Sequence, residues 1–254
     1  MSLDRLIEHR RLWDEKPTLA RVYEVWFDRV LSALPPESRV LEVGAGPGFF
    51  ARHAARVRPD LRWVASDLLA APWNRLVADA LQLPIRSGSV DAVVGIDFIH
   101  HLARPARFFR EAARVLAPAG RIVAIEPWIT MLSYPVYRFL HHERCRTTLD
   151  PWDAFPDAEA KDAFDGDSAL PWALVRHSLA ETWRHLGLEP PRVRLLNGFA
   201  YLMSLGFKSG CLLPASAAGV VLSLDEAMRP VARLSALRAE LTWWSTPPGP
   251  TTGD

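Results

Sequence analysis

Apolar residues recur at helical spacing at Leu19, Val22, Tyr23, Trp26, Val30 and Leu34. The pattern predicts a helix that Thr18 caps and Pro35-Pro36 ends. Arg39 to Val43 then reads as a short buried strand that runs into Gly44-Ala45-Gly46-Pro47-Gly48. Phe49 to Val57 returns to a helical pattern, and Leu61 to Ser66 is predicted as a second strand ending at Asp67. Between Asp67 and Asp79 there is room only for a turn and a short strand, Arg75 to Ala78. Val90 to Ile96 is rich in valine and predominantly apolar, as a central parallel strand requires. Pro105 suits the first position of a helix running to about Leu116. Pro118-Ala119-Gly120 stops it, and Arg121 to Ile125 forms the next strand, closing on Glu126-Pro127.

Beyond Pro127 the pattern loosens. Residues 128–170 are rich in aromatics, histidine, proline and aspartate and read as an insertion. Helix is predicted again from Leu170 to Leu186 and strand from Arg192 to Leu196. Residues 198–224 are apolar and contain glycine; Glu226 to Leu237 reads as helix and Ala239 to Trp244 as a last edge strand. Residues 247–254 read as a disordered tail. Alternating strand and helix place the chain in the α/β class, with a doubly wound sheet in one domain over residues 1–246.

Composition narrows the functional classes. The 254 residues carry a formal charge of +1, so no charged field points to nucleic acid. Cys145 and Cys211 lie far apart without a CxxC pair, and the N-terminal residues carry charge every few positions. Both features predict a cytoplasmic protein with free thiols rather than a secreted one. The longest apolar stretch, Cys211 to Leu224, is broken by Pro214 and is too short to span a bilayer. Stable membrane insertion is therefore not expected, and peripheral contact through 198–224 is the lesser alternative to a pocket cover. The oligomeric state is not legible.

Chemistry concentrates at Glu42-Val43-Gly44-Ala45-Gly46-Pro47-Gly48. A strand that feeds a glycine turn and opens a helix lets the backbone approach a ligand closely. The dinucleotide fingerprint GxGxxG would put its third glycine at position 49, where Phe49 stands, which disfavours a nicotinamide oxidoreductase. Glu42 before the loop suits a cationic amine better than a pyrophosphate.

This segment resembles the glycine-rich first motif of class I S-adenosylmethionine-dependent methyltransferases. Asp67 matches that family's ribose-binding acid, and Asp79-Ala80-Leu81-Gln82-Leu83-Pro84 is similar to its adenine-binding motif. Ser89 to Val94 with His100-His101-Leu102 resembles the fourth strand and its loop, and Arg110 to Arg121 the helix and turn before strand five. The resemblance covers residues 39–127. It implies a Rossmann-like, mostly parallel seven-stranded sheet with helices on both faces and an inserted and C-terminal helical cover. It also implies S-adenosyl-L-methionine as cofactor, held by Glu42, Gly44, Ala45, Gly46, Asp67, Leu68, Asp79, Ala80, Asp97 and Phe98. The helices within residues 1–38 precede this core, and 128–182 and 198–236 are expected to cover the acceptor. Two departures stand out: the missing helix after Asp67 leaves Leu68 and Trp73 to flank the adenine, and Ala119 replaces a common glycine. A methyltransferase-like partner subunit without activity is the alternative that the intact motifs argue against.

His100 and His101, beyond the fourth strand, are the candidate general bases should the acceptor be a hydroxyl. His141-His142-Glu143, with Glu126, suggests a metal, but adjacent histidines on a helix diverge by about 100°, so no metal is expected. Trp128, Tyr134, Tyr137, Trp152, Trp172 and Tyr201 lie in the two variable regions and point to a small apolar or aromatic acceptor.

Overall fold

The computed structural model describes residues 3–155, 161, 162 and 164–246; the expected tail at 247–254 lies outside them. Two helices, α1 (Leu3–Glu15) and α2 (Pro17–Ser32), precede β1 (Arg39–Val43), α3 (Phe49–Val57), β2 (Arg62–Asp67), β3 (Leu76–Val77) and β4 (Val90–Ile96). A 3-10 turn, Ile99–His101, leads to α4 (Pro105–Val115) and β5 (Leu116–Pro127). Then come α5 (Ser133–Pro135), a π turn (Val136–Leu140), α6 (Leu170–His177), α7 (Ala180–His185) and β6 (Arg192–Leu196). The chain continues through α8 (Phe199–Ser204), α9 (Ala215–Ala227), a 3-10 turn at Arg229–Val231, α10 (Ala232–Ser235) and β7 (Arg238–Trp244).

The strands form a seven-stranded sheet in the order β3-β2-β1-β4-β5-β7-β6. β3 through β5 pair in parallel, whereas β7 runs antiparallel to both of its neighbours. The expected edge strand is thus an interior one. β7 inserts between β5 and β6, and its residues are buried along most of their length. Side chains alternate across the sheet: Leu41, Val43, Val93, Ile122 and Ala124 face one core layer, and Val40, Ala92, Val94, Val123 and Ile125 face the other. Helices cover both faces, which is why the central strands read as continuous apolar runs. Phe108 and Phe109 of α4 are wholly buried, and each contributes on the order of 2 kcal/mol through lost apolar exposure.

Four local departures from the sequence expectations have identifiable causes. α2 begins at Pro17, whose fixed φ suits the first helical position; the Thr18 hydroxyl does not cap it but donates to the Leu213 carbonyl at 2.8 Å. β5 begins at Leu116, and its register jumps between the Val90–Leu116 and Ala92–Arg121 pairs, a bulge that holds Ala119 at φ +63°. The helix expected over 170–186 is broken by extended backbone at Ser178 and Leu179, so Leu174 and Trp183 both reach the core. The helix expected over 226–237 is displaced: α9 starts after Pro214, and Pro230 sits in the 3-10 turn that separates α9 from α10. No helix among the described residues is long and apolar enough to cross a membrane.

Candidate functional site

β1 and β4 are neighbours whose onward connections leave toward opposite edges of the sheet, so a crevice opens beyond their carboxyl ends. There the chain encloses a cavity of about 1330 Å³. The glycine loop forms one wall. Gly44, Gly46 and Gly48 all have positive φ. A Cβ at Gly44 would lie 2.9 Å from the Cβ of Phe98, and one at Gly48 only 2.6 Å from the Trp73 ring. Gly46 differs, since a Cβ there would meet nothing nearer than 3.9 Å: it borders open cavity.

Acidic residues ring this loop. Asp67 Oδ2 accepts the Gly46 amide at 2.7 Å and Oδ1 accepts the Leu69 amide at 2.8 Å, so one carboxylate ties the loop to the end of β2. Glu42 is buried beneath the loop and accepts the Trp63 indole N–H at 2.8 Å. Burial pushes its carboxyl up to about 8, the Trp63 bond pulls it back in part, and the charge on Asp67 adds to the rise. Asp79 Oδ1 receives the Leu81 amide at 2.8 Å and sits at the exposed rim with Ala80. Leu68 is more than half exposed. Trp73, expected beside the adenine, instead lies behind the loop. Its indole donates to the Gly46 carbonyl at 2.7 Å, and the Arg10 guanidinium stacks 4.4 Å from its ring. The short stretch between β2 and β3 leaves that side chain no helix on which to project toward the cavity.

The opposite wall belongs to β4, β7 and the segments after β5. Asp97 closes β4 at φ +57° and accepts hydrogen bonds from the Tyr23 hydroxyl (2.9 Å) and from Arg238. Arg238 is 2% exposed and stacks on Trp26 and Tyr201, 4.9 and 4.5 Å from the ring centroids. Glu126 is fully buried and accepts the amides of Phe98 and Ile99 at 2.9 and 2.7 Å, which fixes the turn after β4. It also holds His100 Nδ1 at 2.7 Å. Burial lowers the His100 ring, but Glu143 and Glu126 outweigh it and hold the ring up to about 10. His101 is pushed down to about 3, by burial first and by the charge on His100 second.

Every cofactor residue and both histidines singled out in the sequence line this cavity. Of the six aromatics expected there, Tyr137 and Tyr201 line it. Trp128, Trp152 and Trp172 pack with the core on the α4 face, and Tyr134 lies at the surface. Large rings after β5 fill the sheet face as readily as the cleft, and their spacing does not separate the two fates.

The general methyltransferase-domain model matches residues 41–124, the stretch that carries the loop, Asp67, Asp79 and the β4 turn. An uncharacterized methyltransferase of Mycobacterium sp. (strain JLS) is 34% identical over 128 residues, 47% of each chain. A solved SAM-dependent methyltransferase from Archaeoglobus fulgidus superposes with a TM-score of 0.53 over 89% of this chain and 94% of that one; at 15% identity this is a likeness of fold. Through residues 41–124 the chain belongs to the class I S-adenosylmethionine-dependent methyltransferase family. It spans about half the length of the mycobacterial relative it matches. It is also similar to the mouse tRNA (carboxymethyluridine(34)-5-O)-methyltransferase ALKBH8, at 35% identity over 115 residues, 41% of this chain and 17% of that one.

Several cavity residues of this methyltransferase domain were not foreseen. Leu6 and His9 of α1 roof the cavity, with His9 stacked on Phe207 at 4.3 Å. Arg10 donates to the Pro47 carbonyl at 2.6 Å, and Lys16 to the Gly206 and Lys208 carbonyls, so α1 is tied to the loop and to the segment after α8. Tyr23 and Arg238 complete the far wall with Glu143, which the sequence had singled out only beside His141 and His142.

Proposed function

We propose that the chain binds S-adenosylmethionine against the glycine loop and transfers its methyl group to a small organic acceptor on the opposite side of the same cavity. The observation that carries this reading is the size and asymmetry of the cavity. At about 1330 Å³ it exceeds the roughly 300–1,000 Å³ of ordinary ligand pockets, which leaves room for two molecules. Carboxylates and glycines line one side, and Tyr23, Tyr137, Tyr201 and Phe207 line the other. In this reading Glu42 faces the ammonium, Asp67 the ribose hydroxyls, and Asp79 with Ala80 the adenine edge. Gly44, Ala45 and Gly46 run beneath the cofactor, while Leu68, Asp97 and Phe98 border it.

The sulfonium is an activated methyl donor, so the protein's work is to align donor and acceptor and to exclude water. The roof formed by α1 and the segment after α8 serves the second task. Residues 128–182 and 198–236, with α1 added, choose the acceptor. His100 is clamped by Glu126 and cannot swing toward an acceptor; His101 is the histidine available to one. A nucleoside in tRNA is the second reading, favoured by the likeness to ALKBH8. A formal charge of +1 offers little to a phosphate backbone, whose neutralisation dominates such binding. Incubation with methyl-labelled S-adenosylmethionine and either a small-metabolite extract or bulk tRNA tests the choice. Label is expected in the metabolite fraction; label in tRNA alone would overturn the small-acceptor reading.

A further inference from the structure

We propose that His100, His101 and Glu143 form a binding site for a divalent transition-metal cation of the Zn²⁺ class on the wall of the cavity. His100 Nε2 lies 3.5 Å from Glu143 Oε2, and His101 Nε2 lies 3.7 Å from Glu143 Oε1. The three ligand atoms lie within 4.8 Å of one another. These separations are too long for hydrogen bonds. They are close to the roughly 3.3 Å that tetrahedral ligands about 2.0 Å from one zinc ion keep from each other.

Both rings are prepared to ligate through Nε2. His100 Nδ1 is held by the buried Glu126 carboxylate at 2.7 Å, and His101 Nδ1 by the Asp165 carbonyl at 3.2 Å. A carboxylate or carbonyl on the far nitrogen is the usual support of a metal-bound histidine, since it fixes the tautomer and the ring orientation. Nε2 of each ring therefore faces the one carboxylate of Glu143, and the three ligand atoms converge on a single point where a cation can sit. Adjacent side chains leave a helical turn in divergent directions, yet these two rings bend together, their centroids 4.0 Å apart at an angle of 40°.

Glu143 comes from the inserted segment and is held firmly. Its side chain is 8% exposed. The Ser168 hydroxyl donates to Oε2 at 3.2 Å, and the backbone of Arg144 pairs in a β-bridge with Asp167, whose amide donates to the His100 carbonyl at 2.9 Å. Gly166 closes the back: a Cβ there would sit 2.9 Å from both Glu143 Cδ and His100 Cδ2. No lysine or arginine among the described residues comes within ion-pair distance of Glu143 or Glu126. Two imidazoles and one carboxylate with a position left open to the cavity is the donor set of catalytic rather than structural zinc sites.

The test uses the full chain, stripped with a chelator, dialysed, and titrated calorimetrically with ZnCl₂ and spectroscopically with CoCl₂. One Zn²⁺ per chain is expected, with visible absorption from bound Co²⁺. Glu143→Gln and His101→Asn, checked for folding by circular dichroism, should each bind Zn²⁺ at least 100-fold more weakly. Wild-type protein that takes up no metal in tenfold excess would overturn the site without reference to any variant. So would folded variants that bind as tightly as the wild type. Binding of S-adenosylhomocysteine, measured beside it, reports on the cofactor reading separately.

Discussion

Replacing Asp67 with alanine removes one carboxylate that has two tasks. Its oxygens accept the Gly46 and Leu69 amides at 2.7 and 2.8 Å, and each retains a lone pair that can meet a ribose hydroxyl. Hydrogen bonds to a charged acceptor contribute about 1.5–3 kcal/mol, so loss of the ribose contacts should weaken cofactor binding roughly 10–150-fold. The backbone amides lose their acceptor as well. Because the side chain is only half buried, water replaces part of that loss, and global stability should fall by about 1 kcal/mol. Asp67→Asn keeps one carbonyl oxygen and should fall between the wild type and alanine on both scales. Calorimetric titration with S-adenosylhomocysteine measures the first effect and urea unfolding the second. A folded Asp67→Ala protein that binds within twofold of the wild type would refute the assignment of Asp67 to the ribose.

Other outcomes follow from the same geometry. The Glu42 carboxyl, at about 8 in the free protein, must ionise to meet a cationic ammonium, so binding releases a proton. Affinity for S-adenosylmethionine should therefore rise with pH by up to about tenfold per unit below pH 8 and then level off. Glu42→Gln should flatten that slope; an identical slope in the variant would contradict the assignment, Asp67 being the other carboxylate that acts on Glu42. Because the folded value lies above the unfolded one, the same group lowers the stability of the free protein as pH rises from about 4.5 toward 8. Ala119 is exposed at φ +63°, so Ala119→Gly should relieve left-handed strain and raise unfolding stability by about 0.5–1 kcal/mol; a lower midpoint in urea would count against it. Arg238→Met strips Asp97 of a buried partner and should cost about 3 kcal/mol, whereas a loss below about 1 kcal/mol in urea unfolding would show that the pair is not structural.

The parallel half of the fold was legible because its signals are local. β1, the glycine loop, β2 and β4 each follow from a few adjacent residues, and the loop's neighbours Glu42, Asp67 and Asp79 sit at strand ends where the order of elements puts them together. The place of β7 was not legible: Arg238–Trp244 reads as any apolar strand, and only pairing with β5 and β6 makes it interior. The boundaries after Pro127 shifted for a similar reason. Pro214 and Pro230 bracket α9, while helical periodicity alone favoured 226–237. The far wall of the cavity depends on contacts between distant segments, such as Tyr23 with Asp97 and Glu143 with His100. The expectation of no metal rested on helical geometry at His141 and His142. The ligands proposed above, His100 and His101, meet Glu143 only through contact between the β4 turn and the inserted segment, which sequence spacing does not show.

Calorimetric titration of the full chain with S-adenosylmethionine, compared with the Gly46→Val variant, tests the central claim most directly. Gly46 has φ +50° and borders open cavity, so a branched side chain there both resists the backbone conformation and fills space the cofactor needs. The account predicts one saturable site per chain for S-adenosylmethionine and its demethylated product, no binding of NAD, and loss of the site in a folded Gly46→Val protein. No binding to the wild type, or undiminished binding to the folded variant, would contradict it.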